Sequence, residues 1–215
     1  MEQTPVDSLD QPFLDGAVVV GALLRVEKIS RCWKQLSALP EMSVGALACH
    51  LSRQVSRAAE LLVAHSSLPV LASVDEHYTR AAWVTATSLD DPANDRSADE
   101  TEADLGHDRM LARFETDLVT ATRYLRLGAA HDTVGIPWQG WSLRRNDFLH
   151  TRLLEIVVHS TDLAASIALP TPEFPDSAFS PVRDLLARLA VDRHGQAAVI
   201  STLTRRERAS NISAF

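Results

Sequence analysis

Between Thr151 and Leu163 the chain reads Thr-Arg-Leu-Leu-Glu-Ile-Val-Val-His-Ser-Thr-Asp-Leu. Arg152, Glu155, His159, Asp162 and Ser166 recur at steps of three and four, so at about 100° per residue they share one stripe of a helix. Glu155 and His159 stand one turn apart, which lets a carboxylate oxygen and an imidazole nitrogen reach a single divalent ion about 2 Å from each. The same spacing describes many surface salt bridges, and a polar stripe is also what the solvated face of a half-buried helix looks like. The flanking Leu153, Leu154, Ile156, Val157, Val158 and Leu163 favour the ligand reading, because they cover most of the remaining circumference and imply a helix buried on nearly all sides. A charged stripe on such a helix needs a partner.

A third ligand is available upstream. His50 sits at the edge of an apolar stripe formed by Leu47, Leu51 and Val55, where a hydrogen-bonded structural histidine is the competing reading. A helical bundle brings the inward faces of two such helices together at mid-height. Three protein ligands leave a fourth position open, as in a catalytic rather than a structural site. A thiol entering that position would lose its proton well below its ordinary pKa of about 8.5, and water would be activated there by the same charge.

The residues around this triad have expected roles of their own. Arg152 and Asp162 are expected to orient ligands or line the pocket, the alternative being an ion-pair network within the helix. Trp138 and Trp141 either wall the pocket or plug the end of the bundle, and Arg205, with Arg206, either attracts an anionic substrate or marks an exposed helix end. Cys49 lies about 100° around the helix from His50 and reads as a small core residue, and His150 falls off the ligand face.

Four long helices must position these groups. The first is expected from about Phe13 to Leu36, closed by Pro40. The second, with Ser43 as N-cap, ends near His65. The third covers about Asp104 to Leu127, with Gly128 as its stop. The fourth runs from Asn146 or Asp147 to Ala168, ended by Pro170, Pro172 and Pro175. Ala72 to Thr87 has a mixed pattern compatible with another helix. Leu89 to Asp104, acidic and broken by Pro92, reads as an exposed connection, and His131 to Ser142 as a loop. Two shorter helices, Ser180 to Val191 and Gln196 to Arg208, follow. No internal repeat and no alternating strand pattern is evident. The expected fold is all-α: a four-helix bundle over about residues 13–168 with a short helical C-terminal appendix at about 178–208, in a single domain.

Composition limits the partners. With 215 residues, 46% of them hydrophobic and 23% charged, the chain can fill one core. A net charge of −7 argues against a nucleic-acid platform, which needs a basic face. The most apolar early stretch, Ala17 to Leu24, is far below the roughly 20 residues that cross a bilayer, and no secretion signal is evident. Cys32 and Cys49 form no CxxC pattern. A soluble cytoplasmic protein is expected, a monomer or homodimer acting on small molecules.

The segments LSALPEMSVGALACHLSRQV and DFLHTRLLEIVVHSTDLAASI, with the ending LTRRERASNISAF, resemble the DinB-like superfamily. Within it they are most similar to the mycothiol-dependent maleylpyruvate isomerase type of N-terminal domain. The sharpest motif is RxxExxxHxxDL, Arg152 to Leu163, paired with the upstream His50 and Leu51. The resemblance implies a four-helix bundle with a catalytic divalent metal, usually zinc, on His50, Glu155 and His159. It also implies a low-molecular-weight thiol, mycothiol, as co-substrate. That choice agrees with an arginine-rich composition in which only Lys28 and Lys34 of 21 basic residues are lysine. Two departures stand out: Met42 replaces a tryptophan usual before the second helix, and no counterpart of the isomerase's separate C-terminal domain is seen. The expected activity is therefore thiol S-transfer to an electrophile, or cis–trans isomerisation of an activated double bond. A non-catalytic metal- or thiol-sensing bundle and a metal-activated hydrolase are the alternatives.

Overall fold

The computed structural model describes residues 8–85 and 97–215. Residues 89–96 of the expected connection, and 86–87 at the end of the mixed segment, lie outside the described part. The chain is mostly helical, and among the described residues no helix is long and apolar enough to cross a membrane.

Four long helices surround the main core: α1 (Asp10–Leu24), α3 (Val44–Leu61), α7 (His107–Arg126) and α8 (Arg145–Ser166). Helix α3 lies against α7 and α8, and α1 packs against the same two. Phe13, Leu24, Leu47, Leu51, Phe114, Phe148 and Leu149 meet between them, each fully buried. Burying side chains of this size contributes roughly 1.5–3 kcal/mol each.

The first helix is shorter than its apolar spacing suggests. It ends at Leu24, Val26 is extended (φ −65°, ψ 121°), and a separate α2 (Glu27–Cys32) follows. The break turns Ile29 into the core and brings Trp33 against the start of α3. There Gly45 is required, since a Cβ at that position would stand 2.6 Å from the indole. Ser43 caps α3 as expected, its Oγ accepting from the Ala46 N–H at 3.0 Å. Helix α3 stops at Leu61, four residues before His65.

Three further expectations are corrected. Residues 97–104 are not an exposed connection: Ser97–Ala103 form a helix, α6, in which Asp99 and Ala103 are buried. Gly106 (φ 89°) separates it from α7, so the third long helix starts at His107 rather than Asp104, and Gly128 follows its end as a left-handed stop (φ 65°). The loop at 131–142 is a hairpin, with β1 (Thr133–Ile136) antiparallel to β2 (Trp141–Arg144). Gly140, at φ 80°, makes the left-handed step of its turn. Four-residue strands are too short to show alternation.

The mixed segment forms two short helices, α4 (Val74–Arg80) and α5 (Ala82–Thr85). The C-terminal helices are α9 (Asp176–His194) and α10 (Gln196–Thr204). Helix α9 is no short appendix. Its Ala178, Val182 and Leu185 meet Leu153, Leu154 and Val157 of α8, with Val74 and Tyr78 of α4, in a second apolar cluster. Helix α8 is thus enclosed between two cores, which accounts for apolar residues around most of its circumference.

Candidate metal centre

His50 on α3 and Glu155 and His159 on α8 converge. One ligand atom from each lies within 4.8 Å of the other two. The Nε2 atoms of both histidines point at the same carboxylate oxygen, Oε2 of Glu155, from 3.4 Å (His50) and 3.3 Å (His159). Two ligands each about 2.0–2.1 Å from a zinc ion, at the tetrahedral angle, stand about 3.3 Å apart. Two of the three donor–donor distances match that spacing, and the third is bounded by 4.8 Å.

The far side of each imidazole is held as metal-ligating histidines usually are. His50 Nδ1 donates to Asp99 Oδ2 at 3.0 Å, and His159 Nδ1 donates to Asp162 Oδ2 at 3.0 Å. A carboxylate on Nδ1 fixes the tautomer, aims Nε2 inward and raises its basicity. Without an ion the cluster holds charge by itself. Burial opposes charge on His159, but hydrogen bonds to Asp162 and Glu155 outweigh it and hold the pKa up to about 9. Burial likewise opposes charge on Glu155, and the hydrogen bonds from His159 and His50 keep it well below the usual carboxylate range.

Asp99 reaches His50 because α6 is tied down along its length. Arg53 contacts Asp99 at 2.8 Å and Glu102 at 2.7 Å, and Arg113 of α7 contacts Glu102 at 2.8 Å. Glu100 accepts from the backbone N–H and the hydroxyl of Ser43 at 2.7 and 2.9 Å, and the Trp33 indole N–H donates to the Ala103 carbonyl at 2.9 Å.

The triad opens on a cavity of about 420 Å³ lined also by Arg53, Arg57, Arg152, His77, Trp83 and Trp138. Of the residues singled out from the sequence, Arg152 faces this cavity; its Nη1 donates to Gln54 at 2.6 Å, and it forms no ion pair within its helix among the described residues. Asp162 serves His159, and Trp138 lines the cavity, stacked on Arg57 at 4.3 Å. Trp141 stands behind the wall, donating its indole N–H to Nδ1 of His77 at 3.1 Å. Arg205 is not brought to the site: it is exposed at the end of α10 and bonds the Thr204 carbonyl. Arg206 is exposed as well. Cys49 is fully buried, with its thiol pushed up to about 12 mainly by that burial, and is inert. His150 donates to the Pro181 carbonyl at 2.9 Å, away from the triad.

Residues missed from the sequence are Asp99, Arg53, Gln54, Arg57 and His77. The α3 residues carried a readable signal, since His50, Arg53, Gln54 and Arg57 form a polar stripe on an apolar helix like the one recognised on α8.

His77 gives a pH dependence. Burial, reinforced by the charge of Arg152, pulls its pKa down to about 4. Its Nδ1 accepts from Trp141, so protonation removes that hydrogen bond. The neutral form's contribution to stability is complete above about pH 6.5, the unfolded value, and is lost as pH falls toward 4. In that window the unfolded chain binds the extra proton, at a cost of up to about 3 kcal/mol. Urea midpoints between pH 7 and pH 4.5 should fall more for the native chain than for His77→Gln, which keeps an acceptor but does not titrate; parallel falls would remove His77 as the cause.

Compared with protein-family models, with curated proteins and with solved structures, the chain matches none.

Proposed function

We propose that this protein is a zinc-dependent enzyme of the DinB-like kind, a four-helix bundle formed by α1, α3, α7 and α8. It would use a low-molecular-weight thiol, mycothiol by its resemblance, as nucleophile for S-transfer to an electrophile or for cis–trans isomerisation of an activated double bond. The observation that carries the reading is the convergence of His50, Glu155 and His159 on one point with an open side toward a 420 Å³ cavity. A closed structural site would surround the ion with four protein ligands.

His50, Glu155 and His159 would hold the ion, and Asp99 and Asp162 keep both imidazoles in the liganding tautomer. A divalent ion so held supplies the positive charge that makes thiolate available near neutral pH. The chain supplies orientation: Trp83, Trp138 and Leu154 form apolar walls that limit the pose of a bound molecule and exclude water from it. Cys32 and Cys49 are both free, as suits the reducing cytoplasm in which such a thiol is kept reduced.

The test is a cobalt-substituted sample titrated with mycothiol. Sulfur entering the coordination sphere should bring a strong near-ultraviolet charge-transfer band. An unchanged spectrum at saturating thiol would overturn thiol chemistry in favour of water activation or sensing. Mass spectrometry of mycothiol incubated with electrophiles then separates adducts from isomers.

A further inference from the structure

The cavity lining carries charge that the triad does not use. Three arginines, Arg53, Arg57 and Arg152, line the cavity against two carboxylates, Asp99 and Glu155. Both carboxylates are committed to histidines, and Asp99 is also paired with Arg53. Arg57 and Arg152 have no carboxylate within salt-bridge distance among the described residues. Arg152 spends two of its five N–H donors, on Thr151 at 3.1 Å and Gln54 at 2.6 Å. Arg57 is held by the face of Trp138 at 4.3 Å and has no hydrogen-bond acceptor among the described residues. None of their nitrogens is among the buried polar atoms left without a partner, so the unused donors open on the cavity.

We propose that Arg57 and Arg152 clamp a carboxylate of the electrophilic substrate, so that the protein acts on a small organic acid rather than on a neutral electrophile. Two guanidinium groups left together in a partly desolvated wall repel each other. Burial, with Arg152 next in importance, pulls the Arg57 pKa down to about 10, and a carboxylate between the two would relieve both effects. An ion on the triad adds positive charge to the same cavity while leaving these donors free, which concentrates anions there although the whole chain carries −7. A planar carboxylate suits the site better than a phosphate. The cavity residues of α3 and α8 lie in mid-helix, where their N–H groups are already bonded within the helix and cannot form the amide cradle that phosphates commonly use. Trp83 and Trp138 offer flat apolar surface to the rest of the molecule.

The inference rests on the reading above for its place in the reaction, but its binding step is measured without thiol. The probes are 4-fluorobenzoate and its neutral amide, 4-fluorobenzamide, followed by fluorine NMR on the full chain, zinc-loaded and after chelation. The acid should bind at least tenfold more tightly than the amide, and keep binding after chelation. Arg57→Gln and Arg152→Gln should each weaken it at least tenfold with zinc content unchanged. Arg57 is only partly buried, so its variant keeps the test available should Arg152→Gln fail to fold. Equal binding of acid and amide, or full binding by Arg57→Gln, would overturn the clamp. So would binding that vanishes on chelation and is untouched by Arg57→Gln, since it would place the anion on the ion. Loss of the clamp with the cobalt–thiol band intact sinks this inference alone; loss of the band with acid binding intact sinks the thiol reading alone.

Discussion

Replacing His159 with alanine should abolish metal binding: the native chain, dialysed against zinc and then buffer, should hold about one ion, and the variant less than a tenth of that. The expectation follows from the donor count. With His159 gone, His50 Nε2 and Glu155 remain, and two protein ligands do not retain zinc against dilution as three do. Removing the imidazole also strips Asp162 and Glu155 of a shared partner, and breaking a partly buried ion pair from one side is destabilising. His159→Gln keeps a hydrogen-bonding side chain and so separates lost ligation from lost folding. If it folds to the native circular dichroism spectrum and still holds a full equivalent of ion, His159 is not a ligand.

Asp99→Asn should weaken zinc binding tenfold to a hundredfold without emptying the site. Asparagine keeps the shape and an oxygen for His50 Nδ1–H, but removes the negative charge that raises the basicity of Nε2. The same change leaves Arg53 with Glu102 as its remaining acidic partner. Competition with a chromophoric chelator measures the affinity directly. Asp162→Asn is the matched control on the other imidazole, and the two together should lose more than either. Unchanged affinity in both would mean that Nε2 of these histidines does not face an ion.

The convergence of Glu155 and His159 was legible on α8 because two signals coincide there: a polar stripe at steps of three and four, and apolar residues around the rest of the helix. The structure gives the physical reason, since α8 is packed between two cores and Arg152, Glu155 and His159 of its stripe line the cavity. Asp99 was not legible. It meets His50 across 49 residues, from the acidic run Ser-Ala-Asp-Glu-Thr-Glu, whose composition reads as solvent-exposed. Its burial depends on Arg53, Arg113, Ser43 and Trp33, which are scattered through the chain and leave no local pattern. The break at Val26 was hidden in the same way, because apolar residues continue at helical spacing on both sides of it. The hairpin escaped because its strands are four residues each, shorter than the window in which alternation can be told from a loop.

All four indoles of the chain are tied to the site or to what holds it: Trp83 and Trp138 on the cavity wall, Trp141 behind His77, and Trp33 under the end of α6. Natural ultraviolet fluorescence from this protein is therefore almost wholly a report from the neighbourhood of the triad, and any ion or small molecule that binds there should register in it with no attached dye.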